Sequence, residues 1–83
     1  MDSNEISGAV VNAAMKVHSA LGPGLLESAY AACLRHESIK RGFKVASEVP
    51  VPVVYDGIRL EAGYKLDLLV EDTVVVVLKA IEA

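Results

Sequence analysis

The apolar positions repeat with one period up to about residue 41 and with another after Phe43. Ile6, Val10, Ala14, Val17 and Leu21 recur every three to four residues, which places them on one stripe of a helix over residues 3–21. Asp2 and Glu5 stand at the spacing of a capping box at its start. The segment LGPGLLE ends this pattern, because Pro23 and Gly24 break a helix. Helical spacing resumes over residues 25–41, where Leu26, Ala29, Tyr30, Cys33 and Leu34 share a face and Gly42 follows Lys40-Arg41 as a stop. Beyond Phe43 the pattern turns strand-like. It predicts a strand over 48–55, a hairpin turn at Asp56-Gly57, a strand over 58–70, a polar turn at Glu71-Asp72-Thr73 and a strand over 74–81. Pro50 and Pro52 lack an amide donor, which assigns the first strand to a sheet edge. The expected fold is α+β: two N-terminal helices followed by a three-stranded antiparallel β-meander, in one domain over residues 1–83 with no internal repeat.

Composition agrees with that size. A chain of 83 residues, 53% hydrophobic and 23% charged, has the make-up of one small globular domain. Its core is small, so its stability belongs near the low end of the usual ~5–15 kcal/mol. The single cysteine, Cys33, excludes an internal disulfide, and no zinc-ligand spacing occurs, which fits a reducing cytoplasm. The start MDSNEISGAV is acidic and polar where a secretion signal is basic and then apolar. No apolar run approaches the ~20 residues of a membrane span. The expectation is therefore a soluble cytoplasmic protein with no membrane partner. A net charge of −3 argues against a free-standing, non-specific nucleic-acid binder, yet leaves room for an enzyme that holds nucleic acid through metal ions.

Three positions carry candidate chemistry. Glu27 and Tyr30 are three apart on a helix and occupy adjacent positions of one face, with Gly24 one turn earlier allowing close approach of another backbone. Glu27 also reads simply as a first-turn glutamate favoured by the helix dipole, beside a core tyrosine. Asp67 sits inside the apolar strand GYKLDLLV, where an ionised carboxylate needs a cation or metal if it is half-buried, and needs nothing if it faces solvent beside Lys65. Lys79 shares a face with Asp67 if residues 71–73 form a three-residue loop, since Asp67 then lies opposite Val77; a two-residue loop separates them. His18 and His36 lack a histidine or cysteine at ligand spacing and read as boundary or surface residues, and Cys33 reads as a small buried hydrophobe. Arg35, Lys40, Arg41 and Lys44 form a basic cluster, read as a solvated face and dipole complement or as a contact to nucleic-acid backbone.

On these residues the chain resembles the small bacterial and archaeal proteins named for a GxxExxY motif, within the PD-(D/E)XK nuclease-like superfamily. Gly24, Glu27 and Tyr30 supply the motif, and the resemblance runs through AVVNAAMKVHSALGPGLLESAYAACL and VPVVYDGIRLEAGYKLDLLVEDTVVVVLKAIEA. It implies that Asp67 stands where the superfamily keeps its first metal-binding carboxylate, Lys79 where it keeps the lysine of its (D/E)-x-K element, and Glu27 where a helix adds a further ligand. It also implies Mg²⁺ or Mn²⁺ as cofactor and nucleic acid as substrate. Carboxylates hold such a metal through hard oxygens, the metal activates water and polarises a phosphodiester, and the lysine steadies developing charge.

The chain departs from that pattern twice. Two residues before Lys79, where the superfamily expects Glu or Asp, stands Val77, which binds no metal. Glu61 and Glu82 are the carboxylates nearest in sequence, and strand parity and distance along the strand disqualify both. The expectation is a degenerate or very weak Mg²⁺-dependent nuclease. The second departure is length: the family continues past this strand, so the core reads as truncated, and the apolar TVVVVLKAI is left open to pairing with another chain. A homodimer through the exposed sheet is the expected remedy, which makes a non-catalytic dimeric interaction module, or a truncated fragment, the alternative to a nuclease.

Overall fold

The computed structural model describes residues 1–79 and, at Ala62, the backbone alone. Among these residues, helices α1 (Ser3–Leu21) and α2 (Glu27–Lys40) precede an antiparallel sheet of β1 (Val45–Tyr55), β2 (Ile58–Val70) and β3 (Val74–Val76), in the order β1-β2-β3. This is the α+β meander predicted from the change of period. None of the described helices is long and apolar enough to cross a membrane.

Local chemistry accounts for α1. The Asp2 carboxylate accepts from the Glu5 amide at 2.8 Å, satisfying one of the donors that a helix start leaves open. At the other end Gly22, with φ +75°, donates to the His18 carbonyl at 2.9 Å. Between them Ile6, Val10, Ala13 and Val17 are buried.

Helix α2 departs from its predicted form. It starts at Glu27 rather than residue 25, and Leu26, its N-cap, has extended backbone and is exposed instead of packing with Cys33 and Leu34. Lying outside the helical spiral, Leu26 cannot share the stripe. Of that stripe only Leu34 is fully buried, and the rest of the buried face is Glu37 and Ser38. Glu37 is tolerated there because Lys16 of α1 meets it at 2.6 Å, with Arg41 at 3.9 Å. The Lys16 ammonium holds the Glu37 carboxyl below its usual range, against the opposing effect of burial.

The sheet follows its turns. Tyr55 pairs with Ile58 across Asp56 (φ +49°) and Gly57 (φ +78°), the two left-handed residues of a type I′ hairpin. Val70 pairs with Val74, so residues 71–73 form a three-residue loop, held where the Lys44 amide donates to the Glu71 carboxylate at 2.8 Å. β1 begins three residues earlier than predicted, because Val45, Ala46 and Ser47 pair with Val70, Leu69 and Leu68. It lies at the edge assigned to it by Pro50 and Pro52. Its register with β2 shifts between Val51 and Val53, where a Cβ on Gly63 would stand 2.7 Å from Val53 Cβ and press on its Cγ2; only glycine fits there. β3 ends at Val76, short of the predicted 74–81, and residues 80–83 lie outside the described residues.

Leu68 and Val70 of β2 are fully buried against the helices, Leu68 with Ala13 and Leu34, and Val70 with Ile6 and Val10. Helices and sheet thus make two layers, matching a shortest molecular dimension of 18 Å.

Candidate functional site

Asp67 lies near the end of β2 that the helices cover, one residue before the buried Leu68. Its half-buried carboxylate accepts from the Leu78 amide at 2.6 Å. The main-chain ladder between β2 and β3 stops at Leu68 and Val76, and the Asp67 side chain takes over the next amide. This explains the early end of β3: a carboxylate oxygen has replaced the backbone carbonyl as acceptor. It also fixes the chain next to Lys79, whose side chain is exposed. Val77, the first residue past the last β2–β3 pair, is 51% exposed and does not line the cleft that Asp67 shares with Glu27.

Asp67 and Glu27 line one open cleft of about 800 Å³ between the start of α2 and the strands β1 and β2. Arg35, Glu48 and Lys65 line it as well, so two cations border three carboxylates. Lys79 does not line this cleft; the residue brought to Asp67 is its neighbour Leu78. Glu48 and Asp67 occupy the register position between the pairs Ser47–Leu68 and Val49–Leu66, and there β1 takes a left-handed turn with Glu48 at φ +51°. Lys65 reaches Glu48 at 3.7 Å.

These donors suit one kind of metal better than another. Among the described residues no three His, Cys, Asp or Glu side chains converge to hold a metal ion, so a closed protein cage is absent there. Carboxylate oxygens are nevertheless the hard ligands that Mg²⁺ accepts, and Mg²⁺ commonly keeps several waters and uses only one or two carboxylates. The residues therefore fit a water-rich Mg²⁺ or Mn²⁺ site and do not fit a zinc-type site.

The other motif residues have structural work. The Tyr30 hydroxyl donates to the Gly22 carbonyl, and its ring stacks on His18 at a centroid distance of 5.9 Å. Tyr30 thus ties α2 to the closing turn of α1. Gly24 has φ +90° and no atom within 4 Å of where its Cβ would be, so its requirement is backbone conformation and not the close approach expected from the sequence. Gly24, Glu27 and Tyr30 do share a second, mostly apolar cavity of about 400 Å³ with His18 and Leu78. The basic cluster is dispersed: Arg41 contacts Glu37 and the Ala9 carbonyl, Lys44 pairs with Asp72 at 3.1 Å, and only Arg35 lines the cleft. His36 is exposed, and Cys33 is half-buried rather than buried.

Sequence reasoning missed Glu48 and Arg35 as residues lining the cleft with Asp67. Strand register supplies the signal for Glu48, since a β1 that starts at Val45 carries it past Asp67. No curated protein and no solved structure matches the chain at a significant level. A family model does match, that of the PD-(D/E)XK nuclease superfamily, over residues 4–83. Since the match takes in both helices and the whole described sheet, the chain belongs to the PD-(D/E)XK nuclease superfamily.

Proposed function

We propose that this protein is a degenerate member of its superfamily of the GxxExxY kind, a cytoplasmic, very weak Mg²⁺- or Mn²⁺-dependent phosphodiesterase acting on nucleic acid. The observation that carries this reading is the shared cleft: Asp67 from β2 and Glu27 from α2 line it together, with Arg35 and Lys65 at its border. Asp67 and Glu27 are the residues that would hold the metal, Asp67 with the oxygen not engaged by Leu78. A bound metal of this class supplies Lewis-acid polarisation of a phosphoryl oxygen and a more acidic water. Arg35 and Lys65 attract the phosphodiester backbone, and Lys79, held next to the Asp67–Leu78 contact, offsets negative charge. Weakness follows from Val77, which has no lone pair to offer at the position where the superfamily pattern has a carboxylate. Glu48 is the carboxylate best placed to compensate in part, and Lys65 competes for it.

The test is metal-dependent cleavage of labelled DNA and RNA by the native chain, Val77→Glu and Asp67→Ala. Cleavage by Val77→Glu far above the native chain, and none by Asp67→Ala, is the expected result. Native cleavage equal to that of Val77→Glu would overturn the degeneracy. A second reading, a non-catalytic module that forms a homodimer through its exposed sheet, is favoured by the large apolar side chains that the sheet leaves in solvent.

A further inference from the structure

Opposite residues in an antiparallel pair share a face, so the β1–β2 register sorts the hairpin into two sides. Leu68 and Val70 face the helices. By alternation, and with the bulge adding two residues that preserve parity, Leu66, Tyr64, Leu60 and Ile58 lie on that same side, opposite Val49, Val51, Val53 and Tyr55. None of these positions is charged. The helices are too short to follow the hairpin to its turn: 13 residues of β2 extend ~43 Å, whereas 19 residues of α1 and 14 of α2 extend ~28 and ~21 Å, and Val49, Val51, Val53 and Leu66 are half-buried. Beyond the helical layer the hairpin is an arm whose inner face is exposed at Tyr55 (77%), Ile58 (61%), Leu60 (56%) and Tyr64 (68%).

We propose that this helix-side face of the hairpin arm is the surface through which two copies of the chain associate, arm against arm about a two-fold axis. This deepens the dimeric reading above and is independent of metal binding at Asp67. Three observations commit the occupant to a second copy. The strip carries no charge, so it offers nothing to a phosphate backbone or to a charged peptide, whereas an identical strip complements it fully. Its four most exposed side chains present roughly 500 Å², and their half-exposed neighbours bring this toward the ~800 Å² per partner of a stable interface. Finally, pairing through sheet edges is disfavoured on both sides: β1 carries Pro50 and Pro52, and β3 has only three described strand residues, Val74–Val76. Face-to-face sheets stand ~10 Å apart, so a partner's arm occupies the second layer where the helices leave it empty.

Sedimentation and light scattering of the native chain test this, beside Tyr55→Lys, Leu60→Lys and Val75→Lys, with circular dichroism to check folding. Ile58→Thr, which keeps strand propensity, covers the event that a lysine disturbs the hairpin. The native chain is expected at twice its 8.8 kDa at tens of micromolar. Each arm variant should raise the dissociation constant about tenfold or more, with Val75→Lys unchanged. A dimer dissociated by Val75→Lys alone moves self-association to β3 and overturns the arm. A folded native monomer overturns the arm and the dimeric reading together, assigning the strip to another occupant. Mn²⁺ binding measured on the same samples reports on the metal site separately.

Discussion

Asp67 carries two loads that its isosteres separate. Its oxygen holds the Leu78 amide, and its charge is what a metal would use. Asp67→Asn keeps an acceptor and should cost about 1 kcal/mol or less in stability, whereas Asp67→Ala should cost about 1.5–3 kcal/mol, measured by urea unfolding. Both should abolish metal binding; an Asn variant that binds Mn²⁺ like the native chain would show that the charge is not used. Glu37 supplies a pH dependence. Its carboxyl titrates below its ordinary value near 4.5 when folded, so the native state binds fewer protons there than the unfolded chain. The stabilisation is therefore present above that value and is lost as pH falls through the lowered folded one. Unfolding measured between about pH 6 and pH 3 should show a loss for the native chain that is smaller in Lys16→Met; equal losses would remove Lys16 as the cause. The Glu37–Lys16 pair was not legible in the sequence, because a lone glutamate on a mixed helix face carries no mark of a partner on another helix.

At the scale of elements, the β2 bulge is the clearest case of one residue setting geometry. Gly63→Ala should destabilise by about 1–3 kcal/mol through the collision with Val53, and Val53→Ala should recover part of it in the double variant. Additive losses would place the strain elsewhere. Helix α1 and the meander were readable because local signals agree: the Asp2 cap, the repeat of Ile6, Val10 and Val17, and the Asp56-Gly57 turn all point one way. The start of helix α2 is obscured in the sequence because Leu26 continues the apolar spacing while its backbone is extended. The left-handed Glu48 had no local signal at all, since glutamate does not favour that conformation. Nor does the alternation along β1 and β2 say where a covering helix ends; the same pattern describes Leu68, fully buried, and Leu60, mostly exposed.

At the scale of the molecule, and among the described residues, two helices and a longer hairpin leave a cleft with carboxylates from both layers and an exposed arm. Glu27 and Asp67 line the same cleft because the start of α2 lies over the end of β2, which residue spacing alone leaves open. Val77 is exposed and precedes Leu78, whose amide Asp67 holds, so Val77→Glu should change stability by only ~0.5 kcal/mol. That makes it a clean probe. Titration of Mn²⁺, read from the loss of the free ion's paramagnetic resonance signal, on the native chain, Val77→Glu and Asp67→Asn tests the metal site most directly. Weak binding by the native chain, affinity at least ~10-fold higher in Val77→Glu, and none in Asp67→Asn is the expected result. Equal affinities across the three chains, or no binding by any of them, would contradict a metal site at Asp67 weakened by a single missing carboxylate.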